Sequence, residues 1–199
     1  MKGIILAAGR GTRLYPMTRP VCKPLLPVYD KPLVYYPLSV LIQAGIREVL
    51  VIVPPGEVDT FTALLGDGSQ LGMSIQYTVQ PVARGIADAL LIGREFLAGD
   101  DVCLVLGDNI FWALHLEDIL RRAAQGNRGG TVFGCRVDDP RPFGVVEFDN
   151  PEVHFTHFWI TLSYLFCLFL TPLFQELNDY IFSLLCRIMR RKILIQLFL

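Results

Sequence analysis

Two glycines, an arginine and two lysines near the start of the chain are the residues best placed to do chemistry. The segment Leu6-Ala-Ala-Gly-Arg-Gly-Thr-Arg-Leu-Tyr-Pro follows a short apolar run and carries Gly9, Gly11 and Arg13. Glycines let backbone N–H groups approach phosphate oxygens, and a guanidinium adds a fixed fork of donors for the same anion. The spacing matches neither common phosphate fingerprint: G-x-G-x-x-G would need glycine where Leu14 stands, and a Walker loop would need GK[ST]. Downstream, Lys23-Pro-Leu-Leu-Pro-Val-Tyr-Asp-Lys-Pro holds Lys23 and Lys31 in a proline-stiffened stretch, close enough for Lys23 to fold back on the glycine loop. On these residues alone, a tight turn between strand and helix explains the glycines as well as an anion site does.

A loop of this kind needs a rigid frame, and the pattern along the first 150 residues supplies one. Short apolar runs at 2–7, 48–53, 74–79, 102–106 and 131–137 predict strands. Between them, 37–44, 58–65, 86–97 and 116–124 place apolar residues at spacings of three and four, as in Ile86, Ala89, Leu90, Ile92 and Phe96, and predict helices. Gly45 and Gly99 fall where helix C-termini want a residue able to take positive φ. Strand and helix in alternation predict an α/β fold, a doubly wound, mostly parallel sheet with right-handed crossovers. Sites in such sheets lie outside the carboxyl ends of the strands. Two stretches sit there, the loop from Ala8 onward and Gly107-Asp108-Asn109.

The run LAAGRGTRLYP followed by KPLLPVYDKP resembles the signature of the sugar-1-phosphate nucleotidyltransferases. GDGSQLGMSIQYTVQPVARGIADAL (66–90), VLGDNIFW (105–112) and FGVVEFD (143–149) resemble more narrowly the glucose-1-phosphate thymidylyltransferases, which open the dTDP-rhamnose route. The resemblance covers nearly all of residues 1–150 and implies the Rossmann-like nucleotidyltransferase fold. The reaction it implies is attack by the phosphate of glucose 1-phosphate on the α-phosphorus of dTTP or UTP, with pyrophosphate leaving. Two polyanions must meet, so cations are required. By the resemblance, Leu6 and the backbone of Ala8, Gly9, Gly11 and Thr12 hold the nucleotide. Arg13 neutralises the departing pyrophosphate and Lys23 lies between the reacting phosphates, which makes these two the catalytic candidates. Asp108 would contact the nucleotide through Mg2+ as its ligand, because a hard cation takes carboxylate oxygen and keeps substrate phosphate as co-ligand. Gln80, whose amide both donates and accepts, would select the base with Pro81 and Gly85 beside it. Phe143 and Gly144 would contact the sugar. The chain departs from the usual pattern at Ala8 and Arg10, at Pro24, and at Phe143, where the family's tyrosine hydroxyl is absent. The family also implies a homo-oligomer, commonly a tetramer.

Composition sharpens what to exclude. With 18 Lys+Arg against 19 Asp+Glu and a formal charge of -1, the chain lacks the basic excess that nucleic-acid binding needs. Cys22, Cys103, Cys135, Cys167 and Cys186 form no CxxC pair, which argues against a zinc site or a disulfide framework and suits a reducing cytoplasm. The N-terminal apolar run is too short for a signal peptide.

All 17 glycines lie before residue 151, and residues 151–199 contain neither Gly nor Ala. The chain is therefore expected to divide near Asn150 into a nucleotidyltransferase portion and an apolar tail. Residues 153–175 hold no Asp, Glu, Lys or Arg, enough length to cross a bilayer as a helix, and Arg187, Arg190, Arg191 and Lys192 follow. A membrane anchor is one reading of this tail. A frameshifted or degraded coding end is a second, and it also accounts for the abrupt loss of Gly, Ala and the family motifs. A buried helical subdomain is a third, and it lacks the polar–apolar alternation such a unit shows. His154 and His157 have metal-ligand spacing but no third ligand beside them. The second carboxylate and the lysine–proline segment that the resemblance implies are not recognisable here, so a catalytically weak nucleotide-binding fragment stands as the alternative function.

Overall fold

A computed structural model describes residues 1–9, 11–126 and 129–133, together with the backbone of 193–196. In chain order the strands and helices are β1 (Lys2–Leu6), β2 (Pro27–Val28), β3 (Lys31–Pro32), α1 (Tyr35–Gln43), β4 (Glu48–Val53), α2 (Val58–Leu65), β5 (Ser74–Val79), α3 (Asp88–Ile92), α4 (Arg94–Leu97), β6 (Val102–Leu106), α5 (Leu116–Gly126), β7 (Gly130–Phe133) and β8 (Ile193–Gln196). Short 3-10 turns at Thr12–Leu14, Lys23–Leu25 and Ser69–Leu71 punctuate the connections.

The principal sheet has the order β5-β4-β1-β6-β8-β7. The pairs β4–β5, β1–β4, β1–β6 and β6–β8 are all parallel. Strands buried on both faces read as continuous apolar runs. Accordingly Ile4, Ile5, Val49, Val51, Ile52, Val53, Val102, Leu104 and Val105 are buried. After β1 the chain winds outward through β4 to β5, then returns to the other side of β1 as β6. The reversal makes the β1/β6 crevice the topological switch point, where ligands bind in open α/β sheets.

The α/β expectation holds, with shifts in its details. The expected helix over 86–97 is two segments, starting at Asp88 and interrupted at Gly93. That residue is buried against Ile4, so tightly that an added Cβ would lie 2.7 Å from Ile4 Cδ1. The break is one residue long, because Gly93 N–H still donates to Ala89 O and Leu97 N–H to Gly93 O. The first helix begins at Tyr35, two residues earlier than its periodicity indicates, with Pro37 in its first turn, where a missing N–H costs nothing. Gly45 and Gly99 take φ of 80° and 83°, as the caps require. The proline-stiffened stretch forms a short antiparallel hairpin, β2 with β3.

Met1–Val132 and Arg191–Gln196 gather into one compact unit. Ile193–Gln196, from the apolar tail, is a strand of the principal sheet, pairing Val102 with Ile193 and Leu104 with Ile195. Residues 134–192 and 197–199 lie outside the described residues, and with them most of the expected strand at 131–137, Phe143, Gly144 and the apolar stretch 153–175. No helix among the described residues is long and apolar enough to cross a membrane.

Candidate active site

The carboxyl ends of β1 and β6 are drawn together by Gly107. Its N–H donates to Leu6 O at 2.8 Å, and a Cβ there would sit 2.9 Å from both Cα and Cβ of Ala7. Only glycine permits this approach. It carries the next residue, Asp108, to the loop that leaves β1.

That loop is built around Gly11, which adopts φ 60° and ψ 33° and opens the 3-10 turn of Thr12, Arg13 and Leu14. The buried hydroxyl of Thr18 donates to Gly11 O at 2.7 Å and holds the loop back on itself. A Cβ on Gly11 would meet Lys23 Cβ at 2.9 Å, so the glycine loop and Lys23 are in direct contact, as the sequence spacing suggested. Lys23 starts the second 3-10 turn. Its neighbour Pro24 is buried, and Pro24 O accepts from Val34 N–H at 2.8 Å, which fixes the base of the lysine. Its ammonium reaches across the crevice to Asp108, with Nζ 2.5 Å from Oδ2. Both side chains are about one-third exposed, so the pair faces an open crevice. The ammonium has three hydrogens and Asp108 takes one of them.

Of the expected site residues, the structure brings together Leu6, Gly11, Lys23 and Asp108. Ala8 is buried in the loop and Gly9 is exposed on it, while Thr12 and Arg13 are exposed on the adjoining turn. Arg10 lies outside the described residues. Lys31 belongs elsewhere. It pairs with Asp30 in the hairpin and lies over the Tyr36 ring, 5.2 Å from its centroid, and the Asp30 carboxylate raises its pKa.

Gln80 follows β5 at the same edge of the sheet, with its N–H donating to Val53 O at 2.9 Å. Its side chain is buried and Nε2 donates to Asp88 Oδ2 at 2.8 Å. Pro81 is exposed and Gly85, at φ 101°, is half-buried on the loop beyond.

Two residues were not found from the sequence. Thr18 carried no signal, being one polar residue in a proline-rich loop. Asn109 stood in view beside Asp108 but gained its meaning only from burial. It is 5% exposed, and its buried Nδ2 has no hydrogen-bond partner among the described residues.

The donor set suits a hard divalent cation that keeps several waters and takes phosphate as co-ligand, since Asp108 offers one accessible carboxylate. Among the described residues no group of three or more His, Cys, Asp or Glu side chains converges. Cys22 and Cys103 are both buried free thiols. Burial, helped by Glu57, pushes Cys22 up to about 11, and burial pushes Cys103 up to about 12, so neither supplies a thiolate near neutrality.

A glycine loop, a lysine and a strand-end carboxylate thus meet at the switch point of a parallel sheet. The chain belongs to the nucleotidyl transferase family, whose sequence model matches residues 2–158. Among its relatives, the glucose-1-phosphate thymidylyltransferase of Neisseria gonorrhoeae is 60% identical over 150 residues, covering 75% of this chain and 52% of that protein. The enzyme of the same name from Xanthomonas campestris is 61% identical over 149 residues, covering 75% and 50%. A solved structure described as a glucose-1-phosphate thymidylyltransferase from Bacillus anthracis, with sucrose bound, superposes with a TM-score of 0.68 at 37% identity over 77% of this chain and 62% of that one. A UDP-glucose pyrophosphorylase complexed with UDP-glucose shares the fold, with a TM-score of 0.61 at 19% identity over 76% and 64%. The chain spans about half the length of the curated relatives it matches.

Proposed function

We propose that this chain carries the nucleotide half of a glucose-1-phosphate thymidylyltransferase site and transfers a thymidylyl or uridylyl group from dTTP or UTP to glucose 1-phosphate, releasing pyrophosphate. The observation that carries the reading is the Lys23–Asp108 contact beside Gly11, which sets a cation, a carboxylate and the glycine loop at one crevice. The glycine loop would receive the triphosphate. Lys23, with two ammonium hydrogens to spare, would neutralise charge shared by attacking and reacting phosphates, and Arg13 would take charge building on the leaving pyrophosphate. Mg2+ held by Asp108 would polarise the phosphoryl oxygens.

The relatives' names and the identity over 150 residues support thymidylyl transfer over other nucleotidyl transfers. A soluble cytoplasmic setting and homo-oligomer formation accord with the family resemblance. A narrower reading, nucleotide binding with little turnover, is favoured by the sequence after Asn150, where the only later aspartate, Asp179, has no family-like flanks. Equilibrium titration with dTTP, UTP and ATP, followed by Mg2+-dependent pyrophosphate release, tests both. Preference for the pyrimidine nucleotides is expected, and equal affinity for ATP counts against the assignment. Slow release is expected of the 199-residue chain. Robust turnover abolished by Asp108→Asn would rule out the narrower reading.

A further inference from the structure

Gln80 and Asp88 are 4% and 5% exposed, two buried polar side chains facing each other across the loop between β5 and α3. Gln80 Nε2 donates to Asp88 Oδ2 at 2.8 Å, and Arg84 Nη2 donates to Asp88 Oδ1 at 2.9 Å. Both carboxylate oxygens are thus engaged, one from a buried side and one from an arginine that is 67% exposed. A carboxylate has no hydrogen to give, so the nitrogen of the Gln80 amide must face it and Oε1 must face away.

This fixes what the rest of the amide can read. One Nε2 hydrogen is committed to Asp88. The other hydrogen and Oε1 form the remaining edge, a donor beside an acceptor in a set order. Uracil and thymine present N3–H and O4, which complement that order. Cytosine presents N3 and the N4 amino group, the reverse order, and pairing with it would require the amide to turn over. Turned over, Oε1 would be pressed against the Asp88 carboxylate, two acceptors in contact at a buried site.

We propose that Asp88 is a positioning residue that sets the sense in which Gln80 reads a pyrimidine, so that the site takes thymine or uracil nucleotides and rejects cytosine ones. The proposal rests on Gln80 as the base-reading group. Arg84 keeps the carboxylate turned with Oδ2 toward Gln80.

The test is equilibrium titration of the 199-residue chain with dTTP and with dCTP, reading the ratio of the two dissociation constants, with thermal melting to verify that each variant folds. One bidentate pair predicts a wild-type preference for dTTP of roughly tenfold to a hundredfold. In Asp88→Asn, Arg84 continues to donate to Oδ1, so Nδ2 now faces Gln80 and the amide turns over. Affinity for dTTP should fall about tenfold while affinity for dCTP rises, a gain that loss of a merely structural contact does not produce. Asp88→Ser, whose hydroxyl donates or accepts, should flatten the ratio without reversing it. A wild-type ratio near one overturns the proposal with no variant needed. Equal weakening of both nucleotides in the Asp88 variants, with the preference retained, also overturns it. Gln80→Ala separates the two layers. If it leaves the wild-type preference intact, the reading of Gln80 itself fails. If it abolishes the preference and both Asp88 variants keep it, only the orienting role fails.

Discussion

Gly107 does no chemistry, yet Gly107→Ala should damage both the fold and the site. The new methyl carbon would lie 2.9 Å from Ala7 Cα and Cβ and 3.2 Å from Leu6 O, against ordinary carbon–carbon contact of about 3.5–4.0 Å. The neighbours are largely backbone in the centre of the sheet and cannot swing aside, so the ends of β1 and β6 must part by roughly half an ångström. Overpacking of this sort costs about 1–3 kcal/mol. At about 2–4 °C per kcal/mol for a domain of this size, the melting temperature should fall by roughly 2–12 °C. The same displacement carries Asp108 away from Lys23, whose contact is only 2.5 Å, and nucleotide affinity should drop about tenfold, or about 1.4 kcal/mol. Circular-dichroism melting and titration with dTTP and Mg2+ measure the two effects. Gly9→Ala is the comparison, since a Cβ there meets nothing within 4 Å: stability should hold to within about 0.5 kcal/mol while loop binding changes. A Gly107→Ala protein that melts and binds like the wild type would show that the strand ends are not held at this separation, and the geometric account of the site would fail with it.

Lys23→Gln should lower stability by less than about 1 kcal/mol, because its ion pair is one-third exposed, yet weaken triphosphate binding by about 1.5–3 kcal/mol. Chemical denaturation set beside titration separates those two effects. Arg13→Ala should weaken dTTP much more than dTMP, and identical losses for both would remove Arg13 from the pyrophosphate. Burial of the Cys103 thiol raises its pKa from 9.0 to about 12. The unfolded chain therefore loses this proton first as pH rises, and the stability contributed below pH 9 should decline between about pH 9 and 12, by up to ~1.4 kcal/mol per pH unit. Cys103→Ala should flatten that stretch of the stability–pH profile, and an unchanged slope would contradict the assignment.

The sheet was legible because parallel strands buried on both faces announce themselves as unbroken apolar runs: EVLVIV and VCLVL are strands at the positions their composition indicates. The glycine loop and Asp108 were legible because both sit where such strands end. What could not be read were properties of approach. Gly93 lies in a stretch of good helical spacing, and what leaves no room for a side chain there is Ile4, nearly ninety residues earlier. Lys31 shares the proline-stiffened stretch with Lys23, but a two-residue hairpin turn sets it against Asp30. The family resemblance offered Gln80 as a candidate base reader, whereas the buried Asp88 carboxylate to which its amide donates is a consequence of how the loop to α3 folds back. Asn109 differs from a surface asparagine only in being covered.

The pairing of β1 with β6 joins Lys2 to Val102, a hundred residues apart along the chain. The glycine loop and Lys23 are synthesised early, but their carboxylate partner leaves the ribosome some eighty-five residues after Lys23. Until β4 and β6 are made, β1 waits with both edges unpaired, and contacts of such long span are slow to close. The crevice is consequently a late product of folding, absent from any early intermediate however complete its helices. A nucleotide that engages both walls can bind only the closed crevice, so it should slow unfolding more than it speeds folding, acting as a clasp on a seam already shut.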